Sequence, residues 1–199
     1  MIEIATICTG NICRSPLAAL MLQTRLAGRG VRVTSAGTRG LADHGMTPEA
    51  QRLALARGIS APDAEAHRAR FLTEQHLVSA DLVLAMAREH RRAVAELVPA
   101  RTRVAFTVRE FARLASSLSD AALQGAVATA ADQDAAGRLR AAVAAVAGQR
   151  GLVLPPADPT DDDVVDPYRR SWSTYEASAA QLDPAIDQVV RVVAVATTS

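Results

Sequence analysis

The order of residue patterns in this 199-residue chain predicts an α/β fold: one domain, residues 1–199, on an open parallel four-stranded sheet with helices on both faces. Three observations predict it. Short apolar runs of strand length alternate with stretches of helical apolar spacing. The run Asp81 to Met86 is apolar almost throughout, as a parallel strand covered on both faces must be. A tight glycine-containing loop joins the first strand to the first helix, where open α/β sheets present their ligand sites. The length suffices for one well-buried domain and falls short of two.

Ile2 to Ile7 reads as a buried strand, and Pro16 to about Ala27 as a helix ended by Gly28 and Gly30. Val31 to Ser35 is the second strand. Thr47-Pro48-Glu49-Ala50 combines an N-cap, a first-turn proline and an acid, and so starts a helix that ends near Gly58. Thr73 caps a short helix, and the third strand, Asp81 to Met86, follows. Arg88 to Leu97 is a helix closed by Pro99, Arg103 to Phe106 the fourth strand, and residues 174–195 a terminal helix. Between them lies an alanine-rich insertion at about 115–159. Leu118, Leu123, Val127, Leu139, Val143 and Val146 recur there at roughly helical spacing, which predicts one or two helices packed on the outside of the domain. Pro155-Pro156, Pro159 and Asp161-Asp162-Asp163 make a stiff acidic approach to Asp166-Pro167.

Composition narrows the function. With 22 basic against 21 acidic residues the net charge is +1, so no bulk field draws in nucleic acid or an anionic membrane. Every basic side chain is arginine. Apolar runs are short and broken by arginines, so no membrane span is expected. Two cysteines five apart in one loop are not a secreted disulfide framework, and no signal-peptide pattern precedes the first strand; a cytoplasmic protein is expected. No Cys/His cluster has metal-ligand spacing, no Walker pattern is present, and neither metal nor cofactor is expected.

The chemistry concentrates in Cys8-Thr9-Gly10-Asn11-Ile12-Cys13-Arg14-Ser15, between the first strand and Pro16. Successive backbone N–H groups of such a loop, with the following helix N-terminus, form a concave nest for an anion. A thiolate at Cys8 is favoured in that field. Arg14 offers a planar fork to two oxygens of a phosphoryl group. Ser15 can donate to the sulfur and cap the helix, while Gly10 and Asn11 tolerate the left-handed backbone that a tight nest requires. Residues 9–15 are therefore read as a phosphate-binding loop with Cys8 at its base.

The string CTGNICRSP resembles the low-molecular-weight protein tyrosine phosphatase family. Ser35-Ala36-Gly37-Thr38, His67-Arg68-Ala69-Arg70, Ala80 to Met86 with His90, and Val165-Asp166-Pro167-Tyr168 fit the family at matching places. The likeness covers roughly residues 1–114 and 160–193. It implies a phosphatase acting on phosphotyrosine in proteins, a bacterial tyrosine kinase among the candidate substrates, through a phosphorylated Cys8. Arg14 clamps the phosphate, and Asp166 serves as general acid and then base; Asp161, Asp162 and Asp163 are its competitors. By position, Leu41 and Tyr168 resemble the walls of the family's substrate cleft, and His67 a support holding Asn11. Where many members carry a second aromatic after Tyr168, this chain has Arg169 and Arg170. Trp172 and Tyr175 are read as packing. An arsenate reductase of the same fold and a non-catalytic phospho-ligand module are the alternatives, and a monomer is favoured. A second thiol, Cys13, inside the loop also raises the expectation of a redox lock with Cys8.

Overall fold

A computed structural model describes residues 1–198. Its strands are β1 (Ile2–Cys8), β2 (Val31–Gly37), β3 (Leu82–Ala85) and β4 (Ala105–Thr107). Its helices are α1 (Arg14–Arg25), α2 (Pro48–Leu55), α3 (Ala61–Ala66), α4 (Gln75–Val78), α5 (Arg88–Leu97), α6 (Val108–Ser116), α7 (Asp120–Ala128), α8 (Ala135–Gly148) and α9 (Trp172–Thr197). All strand pairs are parallel, in the order β2-β1-β3-β4. This is the predicted sheet.

Alternation along the strands splits the core into two layers. Ile2, Ile4, Leu82, Leu84 and Phe106 face a large cluster with α1, α2, α6, α7, α8 and α9. Ala5, Ile7, Ala36, Val83 and Ala105 face a smaller one that includes Leu77 of α4 and Val94 of α5. Buried on both sides, the central strands carry few polar side chains, which is why they read as near-continuous apolar runs.

Boundaries shift where local chemistry overrides the pattern. The first helix begins at Arg14 and not at Pro16, and its N-cap position, Cys13, makes no side-chain cap bond. Ser15 does not cap it, because its hydroxyl is committed to Cys8. The fourth strand starts two residues later than the pattern predicts, since Pro99–Val104 winds into a 3-10 turn. Two helices escaped the sequence reading. The six-residue α3 is too short to show a period. The other, α6, carries a full capping box in which Thr107 and Glu110 exchange bonds, a Thr-x-x-Glu signal that was legible.

The alanine-rich stretch forms α7 and α8, whose apolar side chains join the main core. Leu123, Leu139, Val143 and Val146 have no exposed surface. Their helices pack with α9 in that cluster. Small alanines permit the close approach, and Gly137 has room for nothing more, since a Cβ there would lie 2.3 Å from the Asp132 carbonyl oxygen. Arg140 bridges α8 to the sheet through Asp81 (3.0 Å), whose second oxygen accepts the Glu3 N–H. No described helix is long and apolar enough to cross a membrane.

Candidate active site

The loop from Cys8 to Cys13 is inverted so that its carbonyls face outward and are individually satisfied. Thr38 N–H donates to the Cys8 carbonyl, Arg39 N–H to that of Thr9, Leu41 N–H to that of Gly10 and Thr47 N–H to that of Ile12. The Asn11 carbonyl accepts from His67 Nε2 at 2.7 Å, and the Cys13 carbonyl enters the α1 ladder through Leu17. With the acceptors so occupied, the amides are left to face the concave side. Gly37 makes this approach possible: a Cβ there would sit 2.6 Å from the Thr9 carbonyl oxygen.

Asn11 is the pivot. It is wholly buried, at φ 57°, in the left-handed region that asparagine tolerates. Its Oδ1 accepts the Arg70 N–H (2.9 Å), and its Nδ2 donates to Ser15 Oγ (3.0 Å). Ser15 Oγ in turn donates to Cys8 Sγ at 2.9 Å, and the Asn11 N–H donates to the same sulfur at 3.2 Å. Cys8, at the C-terminal end of β1, therefore has two donors aimed at its sulfur. His67 is pushed below the ordinary histidine range, chiefly by burial, so at neutral pH it is uncharged and can donate from Nε2.

Arg14 is 4% exposed. One guanidinium nitrogen donates to the Val164 carbonyl (3.1 Å), and the other pairs with Asp166 Oδ2 at 2.8 Å and reaches Thr9 Oγ1 at 3.5 Å. Asp166 is thus brought to the loop from across the chain. Its competitors are not. Asp162 is paired with Arg113 (2.7 Å), Asp163 with Arg88 (3.1 Å), and among Asp161, Asp162, Asp163 and Asp166 only Asp166 lines the cavity. The pairs of Asp162 and Asp163, with the Val164 N–H on the Met86 carbonyl, anchor the strand of chain that delivers Asp166.

These residues enclose a cavity of about 190 Å³ lined by Cys8, Thr9, Gly10, Ile12, Cys13, Arg14, Arg39, Leu41, Asp166 and Tyr168. Leu41 and Tyr168 stand at its mouth, both partly exposed. Cys13 lies 3.5 Å from Thr47 Oγ1 and 3.6 Å from Tyr175 OH, and burial pushes its thiol up, so it is held protonated. Tyr175 is buried and its hydroxyl is also pushed up by burial; Trp172 lies under Arg52, 4.3 Å from guanidinium carbon to ring centroid. No group of three or more metal-ligating side chains occurs among the described residues. The arrangement can seat a tetrahedral oxyanion between a sulfur beneath and a carboxyl above.

His90 had no assigned part in the sequence reading, yet its Nε2 sits 2.8 Å from Thr9 Oγ1 and 3.3 Å from a Glu89 oxygen. Nδ1 is buried without a partner among the described residues. Burial, then the charge of Arg14, lowers its pKa from 6.5 to about 3. The unfolded chain therefore takes up a proton that the native state refuses, and stability falls as pH drops from about 6.5 towards 3. His90→Gln is expected to make the melting midpoint less acid-sensitive across that window. An unchanged slope would show that His90 is not held neutral.

A sulfur and an arginine six positions apart, flanking one concave nest at the end of a central parallel strand, make this an α/β protein with a buried cysteine at the base of its cavity. The comparisons with known proteins give the family. The model of the low molecular weight phosphotyrosine protein phosphatase family matches residues 3–124, and the chain belongs to that family. It is 42% identical over 97 residues to the low molecular weight protein-tyrosine-phosphatase Etp of Escherichia coli, covering 49% of this chain and 62% of Etp. It is also 35% identical over 109 residues to the protein-arginine-phosphatase of Geobacillus stearothermophilus, covering 55% of this chain and 70% of that one. Among solved structures, a low molecular weight protein tyrosine phosphatase from T. tengcongensis superposes with a TM-score of 0.65 at 26% identity, over 96% of this chain and 98% of the other.

Proposed function

We propose that the protein hydrolyses phosphotyrosine in protein substrates by two in-line displacements at Cys8. The observation that carries this reading is the convergence of Cys8, the loop residues Thr9, Gly10, Ile12 and Cys13, Arg14 and Asp166 on one cavity. The Cys8 thiolate attacks phosphorus while Asp166 delivers a proton to the departing phenolic oxygen. Water then attacks the phosphocysteine, with Asp166 taking its proton. Arg14 and the amides hold the equatorial oxygens through both steps, where charge builds in the transition state. In the structure Asp166 occupies part of the Arg14 fork, so an incoming phosphate dianion competes for it and frees the carboxyl for the leaving group.

Ile12, Leu41 and Tyr168 give an apolar wall suited to an aryl ring. A phosphoarginine side chain, as in the substrate of the Geobacillus relative, would bring a cationic guanidinium beside Arg39 with Asp166 as the only carboxylate lining the cavity. That favours tyrosine. An arsenate reductase of this fold would need a relay of further cysteines, and none follows residue 13. The alanine-rich segment, about 115–159, is read as an insertion that braces α9 within a single phosphatase domain. The enzyme acts as a monomer in a reducing compartment such as the cytoplasm, which keeps Cys8 free. A bacterial tyrosine kinase is a candidate substrate. Parallel assays on a phosphotyrosyl peptide, a phosphoarginyl peptide and arsenate test the reading, which requires the first to be turned over fastest.

Cys13 adds a redox expectation. Peroxide oxidises the Cys8 thiolate to a sulfenic acid, and attack by Cys13, which lines the same cavity, would release water and leave a disulfide. Inactivation should then be reversed by thiol reductant, and Cys13→Ser should make most of the loss permanent. Equal recovery in wild type and Cys13→Ser, with no Cys8–Cys13 link by mass spectrometry, would reduce Cys13 to packing against Thr47 and Tyr175.

A further inference from the structure

Three arginines in or beside the site are neutralised: Arg14 by Asp166, Arg88 by Asp163 and Arg113 by Asp162. Three others, Arg39, Arg169 and Arg170, have no carboxylate partner among the described residues. Arg39 lines the cavity itself, and Arg169 and Arg170 follow Tyr168, one of its walls. All three are exposed. The acid nearest in sequence to α5's start, Glu89, borders a neighbouring cavity with Arg39, but its short contact is to His90.

The placement of Arg169 is not explained by the turn that holds it. The Arg170 N–H donates to the Pro167 carbonyl at 2.9 Å, closing a four-residue turn with Arg169 in its third position at φ 60°. Glycine or asparagine suits that conformation best, and arginine is strained there. The same geometry sets the Arg169 guanidinium carbon 5.1 Å from the Tyr168 ring centroid, so a positive charge rests on the residue that walls the cleft. A second aromatic at this point would extend an apolar wall. Two arginines make it cationic.

We propose that Arg39, Arg169 and Arg170 form an anion-reading rim that selects phosphotyrosyl segments carrying a further anionic group, a carboxylate side chain or a second phosphate, beside the phosphotyrosine. The inference rests on the phosphotyrosine reading above and adds its substrate class. Each contact is exposed, so each contributes little alone, and screening by salt must weaken it.

The test compares kcat/KM of the full chain on phosphotyrosyl peptides flanked by alanine, by glutamate or by another phosphotyrosine, with nitrophenyl phosphate as a substrate lacking flanks. At low salt the anionic peptides should exceed the alanine-flanked one by about tenfold, narrowing as salt is raised. Preference for glutamate assigns the rim to carboxylates, and preference for the doubly phosphorylated peptide alone assigns it to phosphate. Arg169→Ala with Arg170→Ala should remove most of the preference, leaving the part that Arg39 carries, while nitrophenyl phosphate turnover and the melting midpoint stay unchanged, and lysine at both positions should restore it. Equal rates on all peptides, or a preference undiminished in the double alanine variant, would overturn the rim. Failure of the wild type to turn over nitrophenyl phosphate would strike the phosphatase reading instead.

Discussion

Cys8→Ser is expected to lower kcat by roughly 10⁴-fold or more while changing affinity for phosphate or vanadate only slightly. The two effects separate because different atoms cause them. Turnover needs an ionised sulfur, and a serine hydroxyl in the same place remains protonated and is a poor nucleophile. In the proposed reaction anion binding rests on the loop amides and Arg14, and most of the bonds that hold these do not involve the sulfur: the outward carbonyls on residues 38–47, His67 on Asn11, the Arg70 N–H on Asn11 Oδ1 and Arg14 on the Val164 carbonyl. Cys13→Ser should retain most activity, since Cys13 contacts Thr47 and Tyr175 and donates nothing towards Cys8. Equal loss in the two variants would remove Cys8 from its assigned role.

Asp166→Asn is expected to slow phenyl phosphate hydrolysis by about 10²–10⁴-fold and nitrophenyl phosphate far less in its first step, because only the poorer leaving group needs a proton as it departs. The same substitution deletes the ion pair to Arg14, so phosphate should bind no more weakly than in the wild type, and the loss should fall on kcat. Stability should change little, since the Asp166 side chain is 52% exposed and a pair so open to water contributes weakly. A loss below about tenfold on phenyl phosphate would mean that the proton comes from elsewhere.

The sheet was legible because parallel strands buried on both faces must be apolar throughout, and Ile2 to Ile7 and Asp81 to Met86 show it. The loop was legible because its residue types are dictated locally: a small residue, a left-handed asparagine, a cysteine and an arginine on one turn. What supports the loop was not. Backbone amides of Thr38, Arg39, Leu41, Thr47 and Arg70 hold it, and a backbone donor leaves no mark in a sequence. His90 matches the family pattern in the sequence, but its contact to Thr9 Oγ1 and its burial depend on tertiary placement that no local residue pattern shows. The choice of Asp166 over Asp161, Asp162 and Asp163 rested on resemblance in the sequence. In the structure, arginine pairing holds Asp162 and Asp163 away from the cavity.

In the proposed reaction the phosphoryl group rests on Cys8 between two displacements. Rapid quenching of Asp166→Asn during turnover of nitrophenyl phosphate, followed by mass spectrometry of the peptide holding residues 8–14, tests it directly. Without Asp166 to activate water, a phosphocysteine at Cys8 should accumulate alongside a burst of nitrophenol close to one equivalent per enzyme. Turnover with no burst and no phosphoryl group on Cys8, or with the phosphoryl group on another residue, would show that Cys8 is not the nucleophile.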